Sequence, residues 1–301
     1  MGDERLESFA QSANNYLYQQ SSQTLVATPP LPECEVCVIV PVRNEAKILE
    51  ATLSALTYQV DLEGQRLNLQ RYEVILLANN CSDTSAEVAR DFARLHPELV
   101  LHVVEITLPV AEAYIGRVRQ ILMDEAYRRL IYLGRKQGVI ASTDGDSQVA
   151  PTWIAANLAE IAAGADAVGG RIYTTKSDRA TLNPYTKACY LREVGYRSLI
   201  AELEAYIDPD PYDHFPRHYQ HYGASLAVTA QMYKQAGGLP ATNTRTSQPI
   251  ERNNAIAPPH PKVSSSGCGA TTSALLMAIS ATECNGDSVL VSKSRSTIRN
   301  Q

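Results

Sequence analysis

Asp144 and Asp146 stand one residue apart at the end of an apolar run, in the stretch GVIASTDGDSQVAP from Gly138 to Pro151. Carboxylates are among the side chains least often buried without a partner, so a pair at the end of a buried strand asks for something positive. Two carboxylates flanking a glycine can reach one hard divalent cation and still leave coordination positions for water and phosphate oxygens, as magnesium or manganese sites do. Such an ion would let an acidic chain hold a diphosphate. The competing reading is local: Asp-Gly-Asp-Ser is also a turn-forming sequence and could do no more than reverse the chain.

A second polar cluster follows in DPDPYDHFPRHYQHYG, Asp208 to Gly223. Asp208, Asp210 and Asp213 are followed there by His214, His218 and His221. Histidine titrates near neutrality and ligates metals, so this segment offers a third metal ligand or a proton acceptor. The plainer alternative is that these side chains cap turns made by Pro209, Pro211 and Pro216. The spacing H-x-x-x-H-x-x-H could mimic a zinc helix, but Pro216 and the absence of H-E-x-x-H argue against it. The C-x-x-C formed by Cys34 and Cys37 has no second pair to complete a zinc site, and Cys37 opens an apolar run, so packing is the expected role.

The elements that must position these groups alternate. CEVCVIVPV (Cys34 to Val42) is a continuous β-branched run of the kind a parallel strand covered on both faces shows. RNEAKILEATLSAL then carries Ile48, Leu49, Leu53 and Leu56 at helical spacing, with Asn44 placed to cap and Glu45 in the first turn. YEVILLANN is a second strand; Ser82 or Asp83 can cap the amphipathic helix after it. VLHVVEI, GRVRQILMDEAYRRL, GVIASTDGD, TWIAANLAEIAAG and ADAVGGRIY continue as strand, helix, strand, helix and strand. Such alternation predicts right-handed crossovers and a doubly wound, mostly parallel α/β sheet. Ligands sit at the carboxyl ends of such strands. Pro41 to Glu45, Asn79 to Asp83 and Asp144 to Asp146 all fall there.

The polar stretch 1–32 ends in TPPLP, an extended linker, and is set apart as an N-terminal extension. Residues 33–147, which carry the clusters, are expected to form the ligand-binding half, and 148–240, which include the Tyr-, Arg- and His-rich segment 178–222, the half on the side of the second substrate. From 241 to 301 no aromatic residue occurs and Ser, Thr and Asn dominate, which supplies little apolar bulk to a core.

Bulk properties exclude several classes. With 301 residues, 45% hydrophobic and 20% charged, the chain is long enough for a sizeable core of ordinary globular composition. A net charge of −5 argues against a general nucleic-acid binder. The acidic, polar start MGDERLESFAQ is not a secretory signal, and no apolar run approaches the ~18 residues of a spanning helix, so the expectation is a cytoplasmic protein without a transmembrane segment.

Five stretches in order carry a resemblance: VIVPVRNE, VILLANNCSDTS, GRVRQILMDEA, IASTDGDS and GASLAVTAQMYKQAGGLP. Together, over about Cys34 to Pro240, they resemble the family 2 glycosyltransferases of the GT-A fold, enzymes that move a sugar from a nucleotide-diphosphate donor with inversion. The resemblance implies a UDP- or GDP-sugar donor, a hydroxyl acceptor, and Mn2+ or Mg2+ as cofactor. It places Pro41, Asn44 and Glu45 in the loop against the nucleotide, although Asn44 could equally serve only its helix. Asn80 and Asp83 match the region that holds the base, where this chain has asparagine in place of the family's first acid. Arg119 matches the arginine that approaches the donor phosphates, where bidentate pairing explains the residue type. Its alternative is a solvated helix face shared with Arg117. Asp144 and Asp146 match the metal-binding D-x-D, and some GT-A enzymes add a later histidine, for which His221 is the candidate here.

One departure matters. The family's general base is usually the aspartate of an acidic pair shortly after the Gly-Gly turn, and GGLPATNTRTSQPIERNN holds only Glu251. Glu251, Asp213 and His218 are therefore the remaining candidates for the base. A frame-shifted or replaced C-terminus would explain the break, and an intact reading frame shared with related genes would end that idea. Two rivals follow: a catalytically impaired relative that binds nucleotide-sugar without turning it over, and a sugar-phosphate nucleotidyltransferase. The second would carry a glycine-rich basic loop after the first strand, where PVRNEAK has no glycine. A phosphatase with an aspartate nucleophile would carry its D-x-D after the first strand rather than the fourth.

Overall fold

The computed structural model describes residues 24–174, 176–209, 223–239, 289–292 and 297–299. Seven strands form the main sheet. Its parallel part contains β1 (Val36–Val42), β2 (Tyr72–Asn79), β3 (Leu101–Ile106) and β4 (Val139–Thr143), in the order β3-β2-β1-β4. Beyond β4 the order continues with β8 (Ser225–Thr229), β6 (Ala165–Gly169) and β10 (Thr297–Arg299). β8 runs antiparallel to both β4 and β6, so β6 again shares the direction of the first four. The expected α/β architecture with a mostly parallel sheet is what the chain adopts. A smaller three-stranded sheet of β5 (Ser147–Val149), β9 (Val289–Ser292) and β7 (Arg171–Thr174) lies beside it.

β1 and β2 are buried along their whole length, which explains why they lack a polar alternation. Their side chains instead alternate between two apolar layers. Val36, Val38 and Val40 point into one, with Leu49, Leu53 and Leu56 of α1 (Leu49–Thr57), Ala89 and Phe92 of α2 (Ser85–Leu95) and Trp153 of α4 (Trp153–Ala162). Cys37 and Ile39 point into the other, against Val118, Leu122 and Ala126 of α3 (Ile115–Tyr132) and Met232 of α7 (Ala230–Gln235). A one-residue slip of β1 would exchange the two sets, so the register is strongly specified.

The second layer contains a charged centre. Glu73 of β2 and Arg129 of α3 are fully buried, and the guanidinium grips the carboxylate through Nε and Nη2, each at 2.6 Å. Cys37 Sγ and His102 Nε2 complete the set around Glu73, both at 3.1 Å. Cys37 is therefore packed as expected, yet its thiol has a polar partner that the sequence did not announce. Burial pushes that thiol well above its ordinary value. Among the described residues, Cys34, Cys37 and Glu73 are the one trio of potential ligands within 4.8 Å of one another. Both oxygens of Glu73 are already taken by Arg129, which leaves this trio as a packed polar cluster rather than an open metal site.

Three expectations are corrected. Val26, in the stretch read as a linker, is buried in the second layer, and the Thr28 carbonyl accepts from Arg129 Nη1 at 2.7 Å. The chain leading into and through the Tyr-, Arg- and His-rich segment, where no element was expected, forms two helices, α5 (Lys176–Thr181) and the 24-residue α6 (Pro184–Ile207). The Asn183 side chain caps α6 by accepting from the Thr186 N–H, and Pro184 occupies its first turn. Asn44 does not cap α1, which begins only at Leu49; it sits at φ +61° and does different work, described next. Among the described residues no helix is long and apolar enough to cross a membrane.

Candidate functional site

The loop after β1 and the loop after β2 are latched together. Asn44 Oδ1 accepts from the Ser82 N–H at 2.7 Å and from its hydroxyl at 3.3 Å. In return Asp83 Oδ2 accepts from the Ala46 N–H at 3.1 Å, and Ser85 Oγ accepts from the Glu45 N–H at 2.8 Å. Asp83 Oδ1 takes the Ser85 hydroxyl at 2.6 Å and its N–H at 3.0 Å, so the aspartate also closes the start of α2. These bonds, the Ser85 hydroxyl foremost, hold the Asp83 carboxyl below its ordinary value. Pro41 is buried at the end of β1, while Asn44 and Asp83 stay exposed at the rim.

Asn80 is committed elsewhere. At φ +49°, its carboxamide accepts from the Leu108 N–H and donates to the Leu108 carbonyl, each at 2.9 Å. That double bond ties the loop after β2 to the chain leaving β3.

Asp144 and Asp146 occupy the turn from β4 into β5, at the carboxyl edge of the sheet where the loops after β1 and β2 also end. Thr52 of α1 fixes the turn by donating its hydroxyl to the Gly145 carbonyl at 2.8 Å. A Cβ at Gly145 would fall 1.9 Å from Glu45 Oε2 and 2.8 Å from Val42 Cγ2, so a larger residue there would push the Glu45 carboxyl aside. The Glu45 carboxylate therefore lies directly over the aspartate turn. Its Oε2 is buried and without a hydrogen-bond partner. Burial, then the charges of Asp146 and Asp144, push the Glu45 carboxyl up to about 8. Burial and Asp144 likewise raise Asp146.

Arg119 of α3 is the positive group of the site. Only 1% exposed, it pairs through Nη2 with Asp144 Oδ1, so the solvated-face alternative is ruled out for it. Arg117, its neighbour, turns instead to Gln120 Oε1 at 2.7 Å. Gly223 lies flat against the guanidinium: a Cβ would come 2.5 Å from Arg119 Cζ, so a larger residue would displace the arginine. The Gly223 carbonyl is anchored by the Ser142 hydroxyl at 2.6 Å, one strand position before Thr143 and Asp144. β8 thus delivers the glycine that makes room for Arg119.

The arrangement gathers three carboxyl groups, those of Glu45, Asp144 and Asp146, against one guanidinium at a half-buried strand edge. An orphaned buried carboxylate oxygen, beside an Asp146 raised by burial and by Asp144, is what a divalent cation would relieve. The three acids do not form a closed cage among themselves. Magnesium and manganese sites commonly take one or two carboxylates and fill the rest with water and phosphate oxygens, so the donor set fits. Glu45, expected by the resemblance in the nucleotide loop and by its position in the first turn of a helix, lies in the loop before α1 and over the aspartate turn. Its signal was the adjacent loop, not its spacing. His221, His218, Asp213 and Glu251 lie outside the described residues.

The family model for glycosyl transferase family 2 matches residues 37–216, more than half of the chain. The chain belongs to this family. No curated protein matches it in sequence. Solved structures similar to this chain include the mannosyltransferase PcManGT from Pyrobaculum calidifontis, in complex with GDP-Man and Mn2+. It is 20% identical over 78% of this chain and 59% of its own, with a TM-score of 0.43. S. aureus TarS 1-349 is 14% identical over 69% of this chain and 50% of its own, with a TM-score of 0.46. The glucosyl-3-phosphoglycerate synthase from Mycobacterium tuberculosis, in complex with Mn2+, UDP-glucose and phosphoglyceric acid, is 13% identical over 66% and 57%, with a TM-score of 0.38. This chain spans between half and three-fifths of the length of these structures.

Proposed function

We propose that the protein is a GT-A glycosyltransferase that moves a sugar from a UDP- or GDP-sugar to a hydroxyl acceptor with inversion, assisted by Mn2+ or Mg2+. One observation carries this reading: in a member of family 2, Glu45, Asp144, Asp146 and Arg119 converge at the strand edge with a buried carboxylate oxygen unpartnered. Asp144 and Asp146 hold the cation, with His221 as the further candidate ligand. When bound, the cation neutralises the departing diphosphate as a Lewis acid.

The chain's own groups do the rest. Arg119, locked between Asp144 and Gly223, keeps its guanidinium fixed beside the phosphate position without reorganising. The Asn44–Ser82 and Asp83–Ala46 latches keep the rim of the nucleotide pocket in one conformation, where Pro41 and Asp83 border the base. Asn80 supports that rim through Leu108, and its second amide hydrogen is left for the base. The acceptor's proton goes to a base drawn from Glu251, Asp213 and His218.

The test is turnover. Incubating the full chain and Mn2+ with UDP-glucose, UDP-N-acetylglucosamine or GDP-mannose is expected to release the nucleoside diphosphate from one of them, and chelation of the metal to stop it. Donor binding without release of product from any of the three would reject catalysis in favour of a binding-only relative. Absence of both would reject the reading altogether.

A further inference from the structure

Arg119 already answers one of the two aspartates proposed for the cation. Its Nη2 pairs with Asp144 Oδ1, and the arginine side chain is 1% exposed against 23% for the aspartate. The guanidinium has little room to step aside. The backbone of Gly223 closes it in from behind, since even a Cβ there would come 2.5 Å from Cζ and 2.6 Å from Nε. Gly223 is itself fixed: its carbonyl accepts from the Ser142 hydroxyl at 2.6 Å, and β8, which follows it, runs between β4 and β6. A guanidinium also keeps its charge across the working pH range, so this positive group is not withdrawn by losing a proton.

The consequence differs for the two ligands of the site. A cation arriving alone meets an aspartate whose charge is already balanced and, beside it, a fixed positive charge. Like charges a few ångströms apart at a half-buried edge oppose one another strongly. Asp146 still attracts the cation, but the charge of Arg119 reaches Asp146 as well. A diphosphate arriving alone meets the reverse, a guanidinium whose planar fork of N–H donors suits paired phosphate oxygens. Once there, its negative charge offsets Arg119, and its oxygens are the ligands that magnesium and manganese take alongside one or two carboxylates.

From this we infer that Arg119 sets the order of binding: the nucleoside diphosphate enters first, onto the guanidinium, and the cation second, onto Asp144 and Asp146 with the phosphates in place. The inference rests on the nucleotide-sugar reading above and adds to it a role for Arg119 in opposing a bare cation.

Binding alone tests it, without turnover. Calorimetry of the full chain in the absence of metal compares UDP with uridine and GDP with guanosine. Electron paramagnetic resonance of free Mn2+ then measures uptake of the metal with and without saturating nucleotide, against a protein-free blank of the same nucleotide. In the wild type one diphosphate binds without metal at least tenfold more tightly than its nucleoside, and Mn2+ alone binds at least tenfold more weakly than with that nucleotide. Arg119→Gln, which is uncharged, removes the first difference and takes up Mn2+ alone at least tenfold more tightly than the wild type. Arg119→Lys, which keeps the charge, stays within threefold of the wild type for Mn2+ alone. A wild type that holds diphosphate and nucleoside equally without metal overturns the inference, and that comparison needs no variant to fold. So does Arg119→Gln with no gain in Mn2+ uptake, or a gain shared equally by Arg119→Lys. In each of these cases a manganese-dependent gain in nucleotide affinity leaves the nucleotide-sugar reading standing. A chain that binds neither nucleotide, even with Mn2+, overturns both.

Discussion

Asp146→Asn lowers the rate of nucleoside diphosphate release by roughly a thousandfold while the chain stays folded. Asparagine keeps the shape of the turn but offers no charge to a divalent ion. The charge stabilisation a metal supplies to a departing diphosphate is several kcal/mol, and each 1.36 kcal/mol is worth about tenfold in rate. The fold does not need this carboxylate. Burial and Asp144 both raise Asp146, so its ionised form is a source of repulsion. The same variant therefore melts at the wild-type temperature or slightly above it, a separation of activity from stability typical of a site strained for function. Initial rates at saturating Mn2+, paired with a thermal melt, check both halves. A rate within threefold of wild type would show that the strand-end acids do not serve the reaction.

Arg129→Met, far from that edge, has the opposite signature. It removes the guanidinium that grips Glu73 through two bonds and strands a fully buried carboxylate beside Cys37 and His102. Breaking one side of such a pair costs about 3–5 kcal/mol, because the remaining charge is buried without compensation. Urea unfolding at neutral pH measures it. Replacing both partners, Glu73→Leu with Arg129→Met, recovers most of the loss, since the pair's own net worth is small once neither charge remains. The pair also sets an acid limit. Burial alone would raise the Glu73 carboxyl, but the bonds from Arg129 and His102 outweigh it and bring the group from 4.5 to about 2. A carboxyl depressed on folding stabilises above its unfolded value, and that stability is lost as pH falls from about 4.5 towards 2. The double variant lacks this component, so its stability changes less than the wild type's over that window.

Much of this was legible in the chain. The runs CVIVPV and EVILLANN read as strands because residues buried on both faces leave no polar alternation, and they lie side by side in parallel as the alternation with helices implied. Asp144 and Asp146 stood out because nothing in packing calls for them at a strand end. What escaped was whatever depends on distant residues. Asn44 has the identity of a cap, but a bond to Ser82 across the sheet edge is available to it and α1 starts later. Arg119 looked no different from Arg117 in a helix, and only Gly223, brought in by an antiparallel strand, gives it a buried place. α6 was hidden because its apolar stripe faces outward and the surrounding prolines and histidines read as irregular, although Asn183 and Pro184 announce its start. The Cys37–Glu73–His102–Arg129 centre draws on β1, β2, β3 and α3, and no spacing along the chain encodes it.

The central claim is that the acids ending β4 bind a nucleotide through a divalent cation, and it stands or falls without any need for turnover. Isothermal titration calorimetry of UDP and of GDP into the full chain, with and without Mn2+, tests it, repeated on the Asp144→Ala/Asp146→Ala variant. The account predicts that one nucleotide binds at least tenfold more tightly in Mn2+ and that this gain disappears in the variant. Manganese without effect on either nucleotide, or a gain that survives removal of both acids, would contradict it.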